Sequence, residues 1–192
     1  MRVPLGAFVA FLYGLTADAR DTEDVSTADV ESSLERLAAE TTVSRLLQAT
    51  GVELVELLDV SRCSISRVIG DLLVELSDHL RSGETRPLEL FLVSDYPLTQ
   101  EVIEAGEPRV VLRSDPDADP AEAELLGRIG FDSLLMLPLR SRGQNWGLIE
   151  IYADDSFSEL QIQIAITVAE RVGALLAELE GNPYPVARRT TP

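Results

Sequence analysis

Residues 131–152, FDSLLMLPLRSRGQNWGLIEIY, constrain the fold more than any other stretch of the chain. Two apolar runs, Ser133–Leu139 and Trp146–Tyr152, flank the polar turn RSRGQN, which contains Gly143. This pattern predicts a β-hairpin with a loop longer than the two-residue minimum. Both arms are apolar at almost every position, which places the hairpin centrally, covered on both faces. The segment that follows, FSELQIQIAITVAERVGALLAELEG, carries the signals of one long helix. Ser158 is its N-cap and Gln161 the capping-box partner, with Phe157 placed to staple onto Ile162. Leu160, Ile164, Val168, Val172, Leu175 and Leu179 form its apolar stripe, and Gly181 ends it.

Upstream, residues 27–59 have helical spacing, with Val30, Leu34, Leu37, Thr41 and Leu46/Leu47 near one face. Gly51 is expected to break or bend this segment. Ser61–Val68 and Leu72–Leu80 frame Ile69-Gly70-Asp71 as a second hairpin. In its second arm Leu72, Val74, Leu76 and Leu80 alternate with Glu75, Ser77 and His79, predicting one wet face that carries His79. A short extended run, Leu88–Val93, precedes a short helix within 94–108, with Asp95 or Thr99 as N-cap and Gly106 past its end. Arg109–Leu112 reads as a strand. The next helix has Asp119 as cap, Pro120 at its first position, Glu122 closing the box and Gly130 at its end.

Composition removes whole classes of chemistry. All 16 basic residues are arginine, so no lysine can cradle phosphate, form a Schiff base or act as general base. The single cysteine, Cys63, excludes an internal disulfide and any multi-cysteine metal site. His79 is the only histidine, which leaves no histidine-rich metal cluster. The formal charge of -17 repels phosphate backbones and anionic bilayers, so neither nucleic acid nor membrane is an expected partner.

Three segments follow: an apolar N-terminal stretch and polar linker (1–27), a domain over 28–181, and a tail (182–192) expected to be disordered. Residues 1–17 are too short an apolar run to span a bilayer. A secretory signal with Ala17-Asp18-Ala19 as cleavage site, a packed segment and a mis-assigned start all remain open for 1–19. The element order gives an α+β fold, with a mostly antiparallel sheet between terminal helices and small connecting helices.

The domain resembles the GAF family, small-molecule sensor modules named from cyclic-GMP phosphodiesterases, adenylyl cyclases and a bacterial formate regulator. Four segments carry the resemblance in order: LLDVSRCSISRVIGDLLVELSDH, SDYPLTQEVIEAGEPRVV, GFDSLLMLPLRSRGQNWGLIEIY and FSELQIQIAITVAERVGALL. It implies terminal helices on one face of the sheet, and short cross-helices over a ligand pocket on the other. It also implies parallel dimerisation through the terminal helices. The Asn-Lys signature of cyclic-nucleotide binders is absent, since there is no lysine. With Cys63 in the first strand and His79 in the second, the bilin-attachment pattern does not match, and one cysteine cannot serve the sulfoxide-reducing members. Haem would need His79 as its axial ligand and is not expected. The cofactor is therefore unknown, with no metal site.

Tyr96, Arg109, Arg113, Phe131 and Trp146 are the candidate pocket residues. The two arginines could pair an anionic ligand bidentately or simply pair with the abundant carboxylates. The three aromatic residues could line a pocket or pack in the core. Asp115, Asp117 and Asp119 begin like an EF-hand loop, but Pro120 and Leu126 stand where Gly and Glu are needed. Residues 52–70 can also be read as a DNA-binding helix–turn–helix, against the acidic charge. The expected function is a cytoplasmic, non-catalytic, homodimeric sensor that binds a small molecule and signals through a protein partner. The alternatives are a transcription regulator using 52–70, or a ligand-free docking module. No output domain is recognisable, so a fragment of a longer bacterial signalling protein is an equal reading.

Overall fold

Ser26 opens the first helix by accepting from the Asp29 amide, while the Asp29 carboxylate takes the Ser26 amide, so two otherwise orphan donors are satisfied together. The computed structural model describes residues 25–181, and the readings made for 1–24 and 182–192 lie outside it. Helix α1 (Thr27–Ala38) is followed by α2 (Val43–Leu58), capped by Thr42. The interruption falls at residues 39–42 and not at Gly51, which sits inside α2. Gly51 is there for proximity: a Cβ at this position would lie 3.1 Å from the Cβ of His79. Its propensity cost, about 1 kcal/mol, is offset by letting the helix lie flat on the sheet.

Strands β1 (Arg62–Ile69) and β2 (Leu72–Leu80) form the first hairpin, turning through Gly70 at φ 62°. Strand β3 (Leu90–Leu92) runs into a 3-10 turn and helix α3 (Pro97–Ala105), stopped by Gly106 at φ 71°. Neither Asp95 nor Thr99 caps α3; Tyr96 precedes it without a side-chain cap, and Pro97 sets the first turn. Strand β4 (Arg109–Leu112) and helix α4 (Pro120–Ile129) come next, with Asp119 accepting from the amides of Ala121 and Glu122. The central hairpin is β5 (Ser133–Ser141) and β6 (Gln144–Ala153), and α5 (Glu159–Gly181) closes the domain. The reciprocal Ser158–Gln161 box is formed, and Gln161 Nε2 also donates to the Leu58 carbonyl at 2.7 Å, tying α5 to the end of α2.

The six strands make one antiparallel sheet in the order β3-β2-β1-β6-β5-β4. Strand β6 is internal and buried from Trp146 to Ala153, as its continuous apolar run requires. On one face α1, α2 and α5 cover Cys63, Ile65, Leu135, Leu137, Ile149 and Ile151. On the other, α3 and α4 cover a smaller core of Leu73, Val102, Ile103, Leu126, Leu134, Met136 and Leu148. Helix α5 is long and apolar enough to cross a membrane by length and composition. Here Ile164, Val168, Val172 and Leu176 are spent on the sheet.

One alternative falls and one strand reading is corrected. Residues 62–69 form an inner strand paired on both sides, so 52–70 contains no recognition helix and the helix–turn–helix alternative falls. In β2 the buried residues are Leu73, Glu75, Ser77 and Leu80, while Leu76 is exposed. The cause is a bulge: Ile65 pairs with Ser77, but its neighbour Ser66 pairs with Glu75, leaving Leu76 as the extra residue.

Candidate functional site

That bulge builds the site. Positions 75 and 78 are three apart, which on a regular strand would put them on opposite faces. The extra residue returns Asp78 to the face that Glu75 occupies, and both carboxylates meet Arg62. Arg62 donates to Glu75 Oε1 at 3.0 Å and to Asp78 Oδ1 at 2.6 Å. Alternation along β1 puts Arg62, Ser64 and Ser66 on this face and Cys63 and Ile65 on the other. The pairing Arg62 to Tyr152 and Ser64 to Glu150 then brings β6 into the cluster.

The Arg62 guanidinium lies 4.9 Å from the centre of the Tyr152 ring. The Tyr152 hydroxyl donates to Glu150 Oε1 at 3.2 Å, and Ser64 Oγ to Glu150 Oε2 at 3.3 Å. From the covering layer, Thr99 Oγ1 on α3 donates to Glu122 Oε1 on α4 at 2.6 Å. Glu122 therefore closes no capping box; it turns inward and is 1% exposed. Within this cluster two buried oxygens have no partner, Glu122 Oε2 and Asp78 Oδ2.

Four carboxylates thus share a dry face with one guanidinium. Burial, helped by Glu122 and opposed by Arg62, pushes the Glu150 carboxyl up to about 7. Burial also raises Glu122, against the hydrogen bond from Thr99. Burial raises Glu75 as well, only partly countered by its backbone bond to Glu89 and by Arg62. Arg62 is desolvated too, yet its bond to Asp78 holds it firmly charged. Glu150 on the sheet and Glu122 on the covering helix α4 are therefore the groups without adequate cationic support.

Between sheet and cover lies a slot of about 20 Å³ lined by Leu73, Phe91, Tyr96, Glu122, Glu150 and Tyr152, among others. That is room for a water-sized group, against the several hundred Å³ typical of drug-sized ligand pockets. A much larger concavity, about 660 Å³, opens on the opposite side where one flank of α1 and the end of α2 meet the start of α5. Its buried charge, Glu53, is already held by Arg36 and Ser33 at 2.5–2.8 Å, so no buried group there lacks a partner. The slot is the chemically unfinished place.

Of the residues singled out in the sequence, Tyr96 lines the slot and Phe131 packs on Tyr152 with ring centres 5.5 Å apart. Arg109 pairs with Glu101 and Glu107, and Arg113 with Asp132, both on the surface. Trp146 lies in the opposite layer, donating to Glu180 and lying under Arg67. The sequence reading missed Arg62, Glu75, Asp78, Glu122 and Glu150. The available signal was Glu150 inside an otherwise apolar inner strand, where an ionisable group survives only with partners.

An antiparallel sheet with three helices on one face, and two short helices over a small polar slot on the other, defines an α+β module of one recognisable architecture. The GAF domain family matches residues 42–176, and the chain belongs to that family. No curated protein matches it. Among solved structures it resembles the phycoerythrobilin-bound GAF domain of a cyanobacterial phytochrome (TM-score 0.73, 16% identity, 83% of this chain and 100% of that one). It also resembles a phycocyanobilin-bound counterpart (0.71, 18%, 81% and 97%). A bacteriophytochrome from the photosynthetic bacterium R. palustris matches at 0.73 and 14% identity over 85% of this chain. The chain spans 40% of that bacteriophytochrome and 62% of its chromophore-binding domain. At these identities the likeness is one of fold.

The cofactor reading is corrected by these neighbours, which are bilin-bound GAF domains. Setting bilins aside on the positions of Cys63 and His79 spoke only to how a bilin might be tethered. It did not speak to whether the fold can hold one. Cys63 is buried on the helix face, so its thiol does not reach the slot, and the slot as it stands does not fit a tetrapyrrole.

Proposed function

We propose that this GAF domain is a non-catalytic sensor that takes a small molecule between the sheet and α3/α4, and that it works as a cytoplasmic homodimer joined through its terminal helices. The observation that carries the reading is Glu122, buried on the inner side of α4 with one oxygen unpartnered, facing the buried Glu150 of the sheet across the slot. A polar cluster left unsatisfied in a dry interior costs stability unless a ligand completes it. Ligand entry would part α3 and α4 from the sheet, and the strain would pass to α5 and on to a signalling partner.

The test is to purify the chain without refolding and compare native with denaturing mass spectra. A non-covalent mass lost on denaturation supports the sensor reading. A chain that leaves no such mass and changes no amide shift around Glu122 in a metabolite panel would instead be a docking module. Bilins form a second reading, favoured by the phycocyanobilin-bound and phycoerythrobilin-bound neighbours. A bilin here would have to open the slot and sit without a bond to Cys63. Visible absorption of the purified protein, or of protein mixed with biliverdin, tests it.

A further inference from the structure

Building on that ligand-slot reading, we infer that the slot recognises a primary ammonium head group, held between Glu122 and Glu150, with its alkyl part leaving past Tyr96 and Leu92. The argument begins with charge. Arg62 is committed to Glu75 and Asp78, so the Glu122 and Glu150 carboxylates line the slot without a cation of their own. Glu122 Oε2 is buried and has no partner, a vacant acceptor in the wall of the slot.

The donor set selects the kind of cation. Two carboxylates are the only acidic groups lining the slot, too few oxygens for the six to eight that calcium takes or the octahedron that magnesium demands. Among the described residues no cluster of three or more metal-ligating side chains occurs. An ammonium needs about three acceptors for its N–H groups, and a pair of carboxylates can supply them. Size agrees, since about 20 Å³ admits a head group and no more. Apart from Thr99, which is bonded to Glu122, the rest of the lining is apolar or aromatic, with Phe91 and Tyr96 in edge contact at 6.0 Å, which suits an alkyl chain and adds attraction for a cation. Leu92 is 42% exposed and marks the outlet.

Protons compete with this ligand. The charged groups around Glu150 are Arg62 on β1, Glu75 and Asp78 on β2, Glu122 on α4 and Tyr152 on β6. Arg62, Glu75 and Asp78 neutralise one another in part, while burial raises Glu122 above the usual carboxylate range and lifts Glu150 to about 7. A bound ammonium replaces the Glu150 proton, so binding tightens as pH rises through about 7.

The experiment titrates the full chain with n-butylammonium chloride, with sodium butyrate, n-butanol and sodium chloride as comparison solutes. Amide shifts are followed at residues 91–99, 121–126 and 150–152. Butylammonium is expected to shift these amides, more tightly at pH 8 than at pH 6. Glu122→Gln, checked for an unchanged fold by its thermal transition, should weaken it by about tenfold or more, the scale of one lost charged hydrogen bond. Glu150→Gln should abolish the pH dependence. Butanol or butyrate binding as well as butylammonium would overturn the ammonium inference while leaving the ligand slot standing. Shifts from no solute, in a protein whose native mass spectrum retains some other molecule, would overturn the ammonium inference alone. With no retained molecule either, both readings fall.

Discussion

Glu150 is the residue at which the domain holds the most unfavourable charge. Its ordinary carboxyl value is 4.5 and burial raises it to about 7 in the folded state. The folded protein therefore binds a proton more tightly than the unfolded chain does. The stability this adds is complete below about 4.5 and is lost as pH rises through about 7. Glu150→Gln keeps the size and removes the ionisation. Urea midpoints of mutant and wild type should nearly coincide at pH 5, with the mutant more stable at pH 8 by about 2 kcal/mol. Equal midpoints at both pH values would show that Glu150 is not desolvated as the geometry requires. Arg62→Met tests the other side of the cluster, because it strands Glu75 and Asp78 without a partner. It should cost about 3–5 kcal/mol at pH 8, and visibly less at pH 4, where Glu75, already raised by burial, can protonate.

At the scale of elements, helix α5 lies tight against the backbone of β5. A Cβ at Gly173 would lie 2.1 Å from the Arg140 carbonyl oxygen. Alanine would gain the helix roughly 1 kcal/mol in propensity, yet overpacking against backbone costs about 1–3 kcal/mol because nothing flexible can yield. Gly173→Ala should therefore unfold at lower denaturant with its helicity intact, whereas an alanine at exposed Gly181 should be close to neutral. A Gly173→Ala protein as stable as wild type would mean that α5 does not rest on β5 this closely. This approach was not legible in the sequence, because contact with a strand distant in the chain leaves no local signal. What was legible came from strong local signals: the buried hairpin, the Asp119 and Ser158 caps, and the glycine stops at 106 and 130. The bulge at Leu76 was hidden because a period of two survives on paper whether or not a residue is inserted. With it went the Arg62–Glu75–Asp78 cluster, whose members meet only after the register shifts. Gly51 misled for a related reason: local propensity predicted a break, and packing against His79 decided otherwise.

For the whole molecule, slot and terminal helices lie on opposite faces of one sheet, and β6 touches both. Glu150 points into the slot while Ile149 and Ile151, its neighbours in the chain, pack in the layer beneath α2 and α5. A ligand that draws Glu150 toward the cover must pull on that layer, which gives signal transfer a physical route through a single strand. Transfer to a second chain then depends on the proposed dimer. Ile162 and Ile166, one turn apart on α5, stay only partly buried in the single chain and are the apolar surface such a pairing can use. Opposing it is charge, since each chain carries -17 and two of them repel. Because salt screens that repulsion over roughly 8–10 Å at physiological strength, dimerisation should strengthen from 20 mM to 300 mM salt. Ile166→Arg should weaken it by tenfold or more in sedimentation velocity, with a smaller change in thermal stability at low protein concentration, because the side chain only partly packs on the core and a long arginine can reach solvent. A wild-type chain that sediments as a monomer at high salt and high concentration would remove the terminal-helix dimer, and β6 would then have to signal within one chain or to a different protein.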